Sequence, residues 1–289
     1  MTHGKFECHG HLMMDGADFA TARKRHQSGV DMTAVHAALS ALRSHGVRYF
    51  RDGGDALGVS AAAREITAEY GVEYATPVFA IHRKGRYGGI VGRGYGDMAE
   101  YRALVAEARA AGADFIKLMF SGILTFTGWG GLSCPGLPEA EIRELVEIAH
   151  GEGFAVMAHV NGCETVRAAI EAGTDSIEHG YFMDEACLRA LADSDSIWVP
   201  TLAATAAFVG REGFDSAVAE ETQRRQKSAI RAALRLGARV AVGSDSGAVG
   251  VPHGPGTDTE YRLLRTDCGA TAAQLASANE AIRSRFRRL

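Results

Sequence analysis

The sequence predicts an α/β fold of the (β/α)8 barrel (TIM barrel) class. Three observations carry that prediction: a helix, glycine, strand unit that recurs along the chain, eight apolar or β-branched runs, and a length of 289 residues that suits one large barrel. The unit is an Ala-rich amphipathic stretch closed by a glycine, as in Ser44-His45-Gly46-Val47, Glu69-Tyr70-Gly71-Val72, Ala111-Gly112-Ala113, Gly151-Glu152-Gly153-Phe154, Ala172-Gly173-Thr174 and Leu236-Gly237-Ala238. Glycine just past a helix end adopts a left-handed conformation at little cost, so each one marks a helix stop before a strand. The runs that follow are candidate strands at 5–11, 47–52, 73–81, 114–120, 154–160, 175–179, 197–201 and 239–245. Strands alternating with helices pair in parallel through right-handed crossovers. The competing doubly wound sheet usually carries a glycine fingerprint after its first strand, which His9-Gly10-His11-Leu12 is not. Residues 1–289 are therefore read as a single barrel domain.

A hydrophobic content of 46% is enough for a large core, and a net charge of −4 gives no global field to recruit nucleic acid or an anionic membrane, so the expected partner is a small molecule. Five cysteines at irregular spacings form neither a disulfide framework nor a CxxC metal site, which fits a reducing, cytoplasmic setting. No apolar stretch approaches the length of a spanning helix.

In a barrel of this class the chemistry sits where the strands end. The first run ends in His9-Gly10-His11, whose two imidazoles at i and i+2 point the same way and make a metal pincer. In the fourth, Phe115-Ile116-Lys117-Leu118-Met119-Phe120, a lysine stands in the middle of an apolar strand. Burying an ammonium without a partner costs several kcal/mol, which leaves a buried ion pair, a snorkelling side chain or a chemically neutralised lysine. A CO2-modified lysine would offer carboxylate oxygens able to bridge two cations. The fifth run ends at His159, the sixth at His179 and the eighth at Asp245. Singly, each of these is an ordinary polar residue at a strand end; jointly, they put metal-ligand types at the ends of five strands around one mouth.

These motifs resemble those of the amidohydrolase superfamily, with HxH on strand one, Lys on strand four, His on strands five and six, and Asp on strand eight. Gly46-Val47-Arg48-Tyr49-Phe50-Arg51-Asp52, residues 155–162 and 175–180 look most like its imidazolonepropionase and Xaa-Pro dipeptidase branch. The similarity covers most of the chain. It implies that His9, His11 and Asp245 hold one divalent metal, that His159 and His179 hold another, and that carboxylated Lys117 bridges the two. Imidazole with carboxylate suits Zn most of all. The branch's flanking β-sandwich is expected to be missing, because the first strand starts within the first residues; apolar barrel surface left bare would suit a homo-oligomer.

The implied activity is hydrolysis of an amide or peptide-like C–N bond, in a dipeptidase, carboxypeptidase-like or cyclic amide substrate, by metal-activated hydroxide. Asp245 would accept the proton of the attacking hydroxide and pass it to the leaving amine. The resemblance gives His82, after the third run, the developing oxyanion, and Tyr181, two residues past His179, could contact substrate. The glycine- and arginine-rich loop 83–96 reads as a mobile lid whose Arg83 could pair with a substrate carboxylate. A second candidate lid at 121–138 carries Phe126 and Trp129. Deaminases of this fold commonly place a Glu three residues after the strand-five histidine, where this chain has Gly162. A lactonase or phosphoester hydrolase on the same binuclear site, and a non-catalytic metal-binding scaffold, remain as alternatives.

Overall fold

Each of the six helix-stop glycines has a left-handed backbone in the computed structural model, which describes residues 4–287: φ runs from 61° at Gly71 to 89° at Gly237. Five helices start on side-chain caps supplied by polar residues just before them. Asp31, Asp97, Asp184 and Asp215 accept backbone N–H groups of the first turn, and Thr271 forms a reciprocal capping box with Gln274.

Among the described residues nine strands run between the helices, all paired in parallel: β1 (Lys5–Gly10), β2 (Val47–Asp52), β3 (Glu73–Ala75), β4 (Ala80–Arg83), β5 (Gly92–Tyr95), β6 (Ile116–Met119), β7 (Val156–Val160), β8 (Ser176–His179) and β9 (Ile197–Val199). They form a three-stranded sheet, β1-β2-β3, and a six-stranded sheet, β5-β4-β6-β7-β8-β9. Strand order follows chain order except at β5, consistent with successive right-handed units.

Three departures from the predicted runs have local causes. The run at 73–81 is broken into β3 and β4, where Pro77 lacks a backbone donor and Val78 takes a φ of 67°. The run at 239–245 is not a regular ladder strand. It nevertheless bonds on both sides: Trp198 N–H donates to Arg239 O, Ala241 N–H to Trp198 O, and Cys8 N–H to Val242 O, with an isolated parallel bridge between Gly10 and Ser246. Thirdly, part of the loop at 83–96 forms β5, tied to β4 along Ala80–Arg83.

Phe6, Tyr49, Phe115, Met157, Ile197 and Ala241 come from separate strands or runs and pack with Ile282 and Phe286 from the last helix and the residue after it. That helix (Ala272–Arg285) thus covers the end of the sheets opposite the histidines, with the Phe286 ring 5.3 Å from that of Phe115.

Candidate metal centre

His9, His11, Lys117, His159, His179 and Asp245 all line one cavity. β1 supplies His9, with His11 just past its end; Lys117 lies in β6 in register with Met157; β7 supplies His159 and β8 ends on His179. The imidazoles crowd together, with ring centroids 5.5 Å apart for His9 and His11, 4.9 Å for His9 and His179, and 4.6 Å for His159 and His179. Donor atoms of His9, His11 and Asp245 lie within 4.8 Å of one another, and Asp245 Oδ1 is 3.6 Å from Nε2 of both histidines.

Two of these residues stand in a strained backbone. His179 has a φ of 66° and Asp245 of 62°, a region that non-glycine residues rarely enter and that costs of order 1–3 kcal/mol. Gly53 has a different role: a Cβ there would lie 2.1 Å from Cε1 of His11, so the imidazole sits flat against bare backbone.

Hydrogen bonds fix which nitrogen three of the rings present. His9 Nδ1 is 2.6 Å from Glu178 Oε2, which leaves Nε2 toward Asp245. His179 Nδ1 is 2.8 Å from Thr201 Oγ1, and His159 Nε2 is 3.1 Å from Gly122 O, which leaves Nδ1. Behind His9, the buried Glu178 also accepts from Arg51 Nη2 at 2.8 Å and Ser176 Oγ at 2.5 Å. Arg51, itself buried, donates further to Cys8 O and Ser176 Oγ and lies over the Phe286 ring at 4.3 Å. A carboxylate that holds the far nitrogen of an imidazole fixes its tautomer and raises its basicity as a ligand.

Burial pushes the four imidazoles down, His11 and His159 to about 3 and the other two well below their ordinary value, with the Lys117 charge adding to the effect. The same burial lowers Lys117 to about 8 and raises Asp245 to about 6. Neutral imidazoles and an amine close to its neutral form are the ligand-competent states. Lys117 Nζ and His11 Nδ1 are buried without a hydrogen-bond partner among the described residues, which is what a site built for a cation would leave in the absence of one. The donor set therefore fits divalent metal.

The remaining predicted residues divide. Tyr181 lines the cavity, its hydroxyl near Thr201 O and Oγ1. His82 and Arg83 are not among the lining residues: His82 Nδ1 lies 3.0 Å from Arg83 O, and Arg83 Nη1 donates to Glu141 at 2.5 Å. Within 83–96, Lys84 pairs with Glu100 and Arg93 with Glu107, so these cations are spoken for by neighbouring carboxylates. That loop does reach the cavity through Tyr87, Ile90 and Val91, and the loop at 121–138 through Ile123, Leu124 and Phe126. Trp129 packs instead on Phe182, and His253 is bonded to Ser246 and Met14. The reading of the sequence missed Glu178, the bracing role of Arg51, and Tyr87, whose ring centroid lies 4.9 Å from that of His159.

Parallel strands that end in a cluster of imidazoles, an amine and a carboxylate around one mouth give an α/β fold with candidate metal ligands at its strand ends. The family follows from comparison: the chain belongs to the amidohydrolase family, whose model matches residues 6–282. It is 29% identical over 189 residues to the ochratoxinase of Aspergillus niger, a match covering 62% of this chain and 38% of that protein. An uncharacterised protein of Mycobacterium tuberculosis is 28% identical over 188 residues, covering 63% of this chain and 49% of that one. The chain thus matches half or less of the length of these curated relatives. Among solved structures, a Xaa-Pro dipeptidase with bound methionine superposes with a TM-score of 0.73 at 23% identity, over 98% of this chain and 73% of that one. The A. niger ochratoxinase gives 0.75 at 20% identity, over 98% and 69%. These likenesses show a shared TIM-barrel fold. Among the described residues, no helix is long and apolar enough to cross a membrane.

Proposed function

We propose that the chain is a metal-dependent amide hydrolase working on a closed (β/α)8 barrel as one domain, with two divalent ions, Zn by preference, held by His9, His11, Asp245, His159 and His179 and bridged by carboxylated Lys117. The observation that carries the reading is the convergence of these six residues on one cavity, with the lysine amine buried and unpartnered among them. Closure is supported by the bonds of residues 239–246 to both β9 and β1, and a reducing, cytoplasmic location by the five free cysteines.

Bound divalent ions supply a water of lowered pKa and polarise the scissile carbonyl. The chain does the rest. Asp245, raised to about 6 by burial yet ionised at neutral pH, takes the proton of the attacking water and returns it to the leaving nitrogen. Arg51 and Glu178 hold His9 in one tautomer. Tyr87 is better placed than His82 to donate to the oxyanion. It lines the cavity next to His159, burial and the Asp245 charge keep its phenol protonated, and its hydroxyl has no partner among the described residues. Tyr181, another lining residue, contacts the substrate.

Metal analysis combined with a hydrolysis screen of dipeptides, N-acyl amino acids, cyclic amides and lactones tests the proposal. About two equivalents of metal and amide cleavage, both lost in Lys117→Ala, are expected. Retention of both in that variant would sink the binuclear reading, and a wild type that binds no metal and cleaves nothing would favour a scaffold.

A further inference from the structure

The cavity reads as selective for charge as well as shape. Its volume is about 210 Å³, larger than the roughly 150 Å³ void that takes one benzene ring. Phe19, Ile90 and Val91, together with Ile123, Phe126 and Phe208, supply much of its apolar lining. Phe126 and Phe208 pack with ring centroids 4.6 Å apart and planes tilted by 31°, a surface suited to an aromatic guest. Lys117 is the only cationic lysine or arginine side chain among the lining residues, and it belongs to the metal centre.

Four arginines around the cavity are engaged elsewhere. Arg83 is bonded to Glu141, Arg86 donates to Pro135 O, Arg23 to Gly89 O, and Arg225 pairs with Glu221 under the Trp129 ring. Backbone donors offer no substitute: the N–H groups of Leu202 and Ala203, at the start of the helix beside the cavity, are already taken by Glu260. Two further polar side chains of the wall are committed, Thr205 to Leu202 O and Asn161 to Gly122 O, and the Tyr87 hydroxyl is a neutral donor that brings no counter-charge. A substrate carboxylate remote from the scissile bond would enter without a counter-charge, which costs several kcal/mol in an apolar site.

We propose that the substrate is an uncharged amide flanked by apolar groups, at least one of them aromatic, rather than a dipeptide or N-acyl amino acid with a free carboxylate. This inference rests on the amide-hydrolase reading. In the reaction the C–N bond breaks, a C–O bond forms from water, and the second water proton ends on the amine nitrogen, so the only carboxylate arises at the metal centre as product.

The test separates binding from chemistry. N-benzenesulfonyl-phenylalaninol and N-benzenesulfonyl-phenylalanine, neither of which contains a carboxamide bond to hydrolyse, are titrated calorimetrically into the metal-loaded protein. The uncharged alcohol is expected to bind at least tenfold more tightly. In Ile123→Arg, a change at a partly exposed position of the wall, the gap should close or reverse. Equal or tighter binding of the acid to the wild type, or no binding of either, overturns the inference. Hydrolysis of the matched N-benzoyl pair is the second arm: a preserved binding preference without cleavage of either compound sinks the hydrolase reading and leaves the preference for an uncharged ligand standing.

Discussion

Replacing Glu178 with Gln should weaken metal binding through the tautomer of a single imidazole. Glu178 is fully buried and serves three donors: Arg51 Nη2, Ser176 Oγ and His9 Nδ1. A glutamine has one acceptor oxygen. Arg51 can only donate to it, so the oxygen turns to the guanidinium and the NH2 group faces His9. Nδ1 must then accept, the ring proton moves to Nε2, and the nitrogen that points toward Asp245 at 3.6 Å is no longer a ligand. Changes to such outer partners typically lower metal affinity ten- to a hundred-fold, about 1.4–2.7 kcal/mol. Arg51 keeps a neutral acceptor, so the loss of stability should stay below the roughly 3–5 kcal/mol expected when one partner of a buried ion pair is removed outright. Competition against a chromophoric chelator at pH 7 measures the affinity, and urea unfolding of the metal-free protein measures stability separately. A folded Glu178→Gln protein with wild-type metal affinity would refute the tautomer argument.

Tyr87→Phe should lower kcat by about a hundred- to a thousand-fold with metal content unchanged, while His82→Ala changes kcat little; steady-state kinetics beside metal analysis reverses the assignment if the histidine variant is the one that fails. Gly53→Ala forces a Cβ into the His11 ring, and the overpacking should cost about 1–3 kcal/mol in urea unfolding and reduce bound metal. Glu260, buried and held at about 8, makes a pH-dependent contribution. Its folded pKa lies above the unfolded value, so the protonated carboxyl's stabilisation is complete below about pH 4.5 and is lost as pH rises through 8. Unfolding free energies of the wild type and Glu260→Gln, compared from pH 5 to 9, should therefore show the wild type losing ground by a few kcal/mol; a constant difference would mean that the two backbone N–H bonds keep the carboxylate ionised throughout.

Residues whose positions follow from strand endings and helix stops were legible before any coordinates. His9, His11, His159, His179, Asp245 and the six helix-stop glycines all depend on short-range pattern, and Lys117 stood out as a charge in an apolar run. The same argument applies to Arg51 and Glu178, charged residues on strands whose interior-facing side chains alternate with exterior ones. It was overlooked because β8 and most of β2 are buried on both faces, so alternation gives no contrast there. The break at Pro77 was readable from its missing donor. The strand β5 was hidden because Gly92-Arg93-Gly94-Tyr95 lacks strand propensity and is held by its pairing with β4. Tyr87 offered no signal, since only the folding of its loop brings it beside a histidine more than seventy positions along the chain.

Phe286, Arg51, Glu178 and His9 form a contiguous column from the covered end of the sheets to the metal centre. During synthesis, the histidines of β1 leave the ribosome first and the aromatic ring that seats their support leaves after some 280 further residues. Until that ring arrives, the guanidinium lacks its stacking surface and the first imidazole lacks a settled tautomer. Loading of the cation would on this account wait for Phe286, and a nascent chain halted before that residue should retain metal poorly even with every ligand already made.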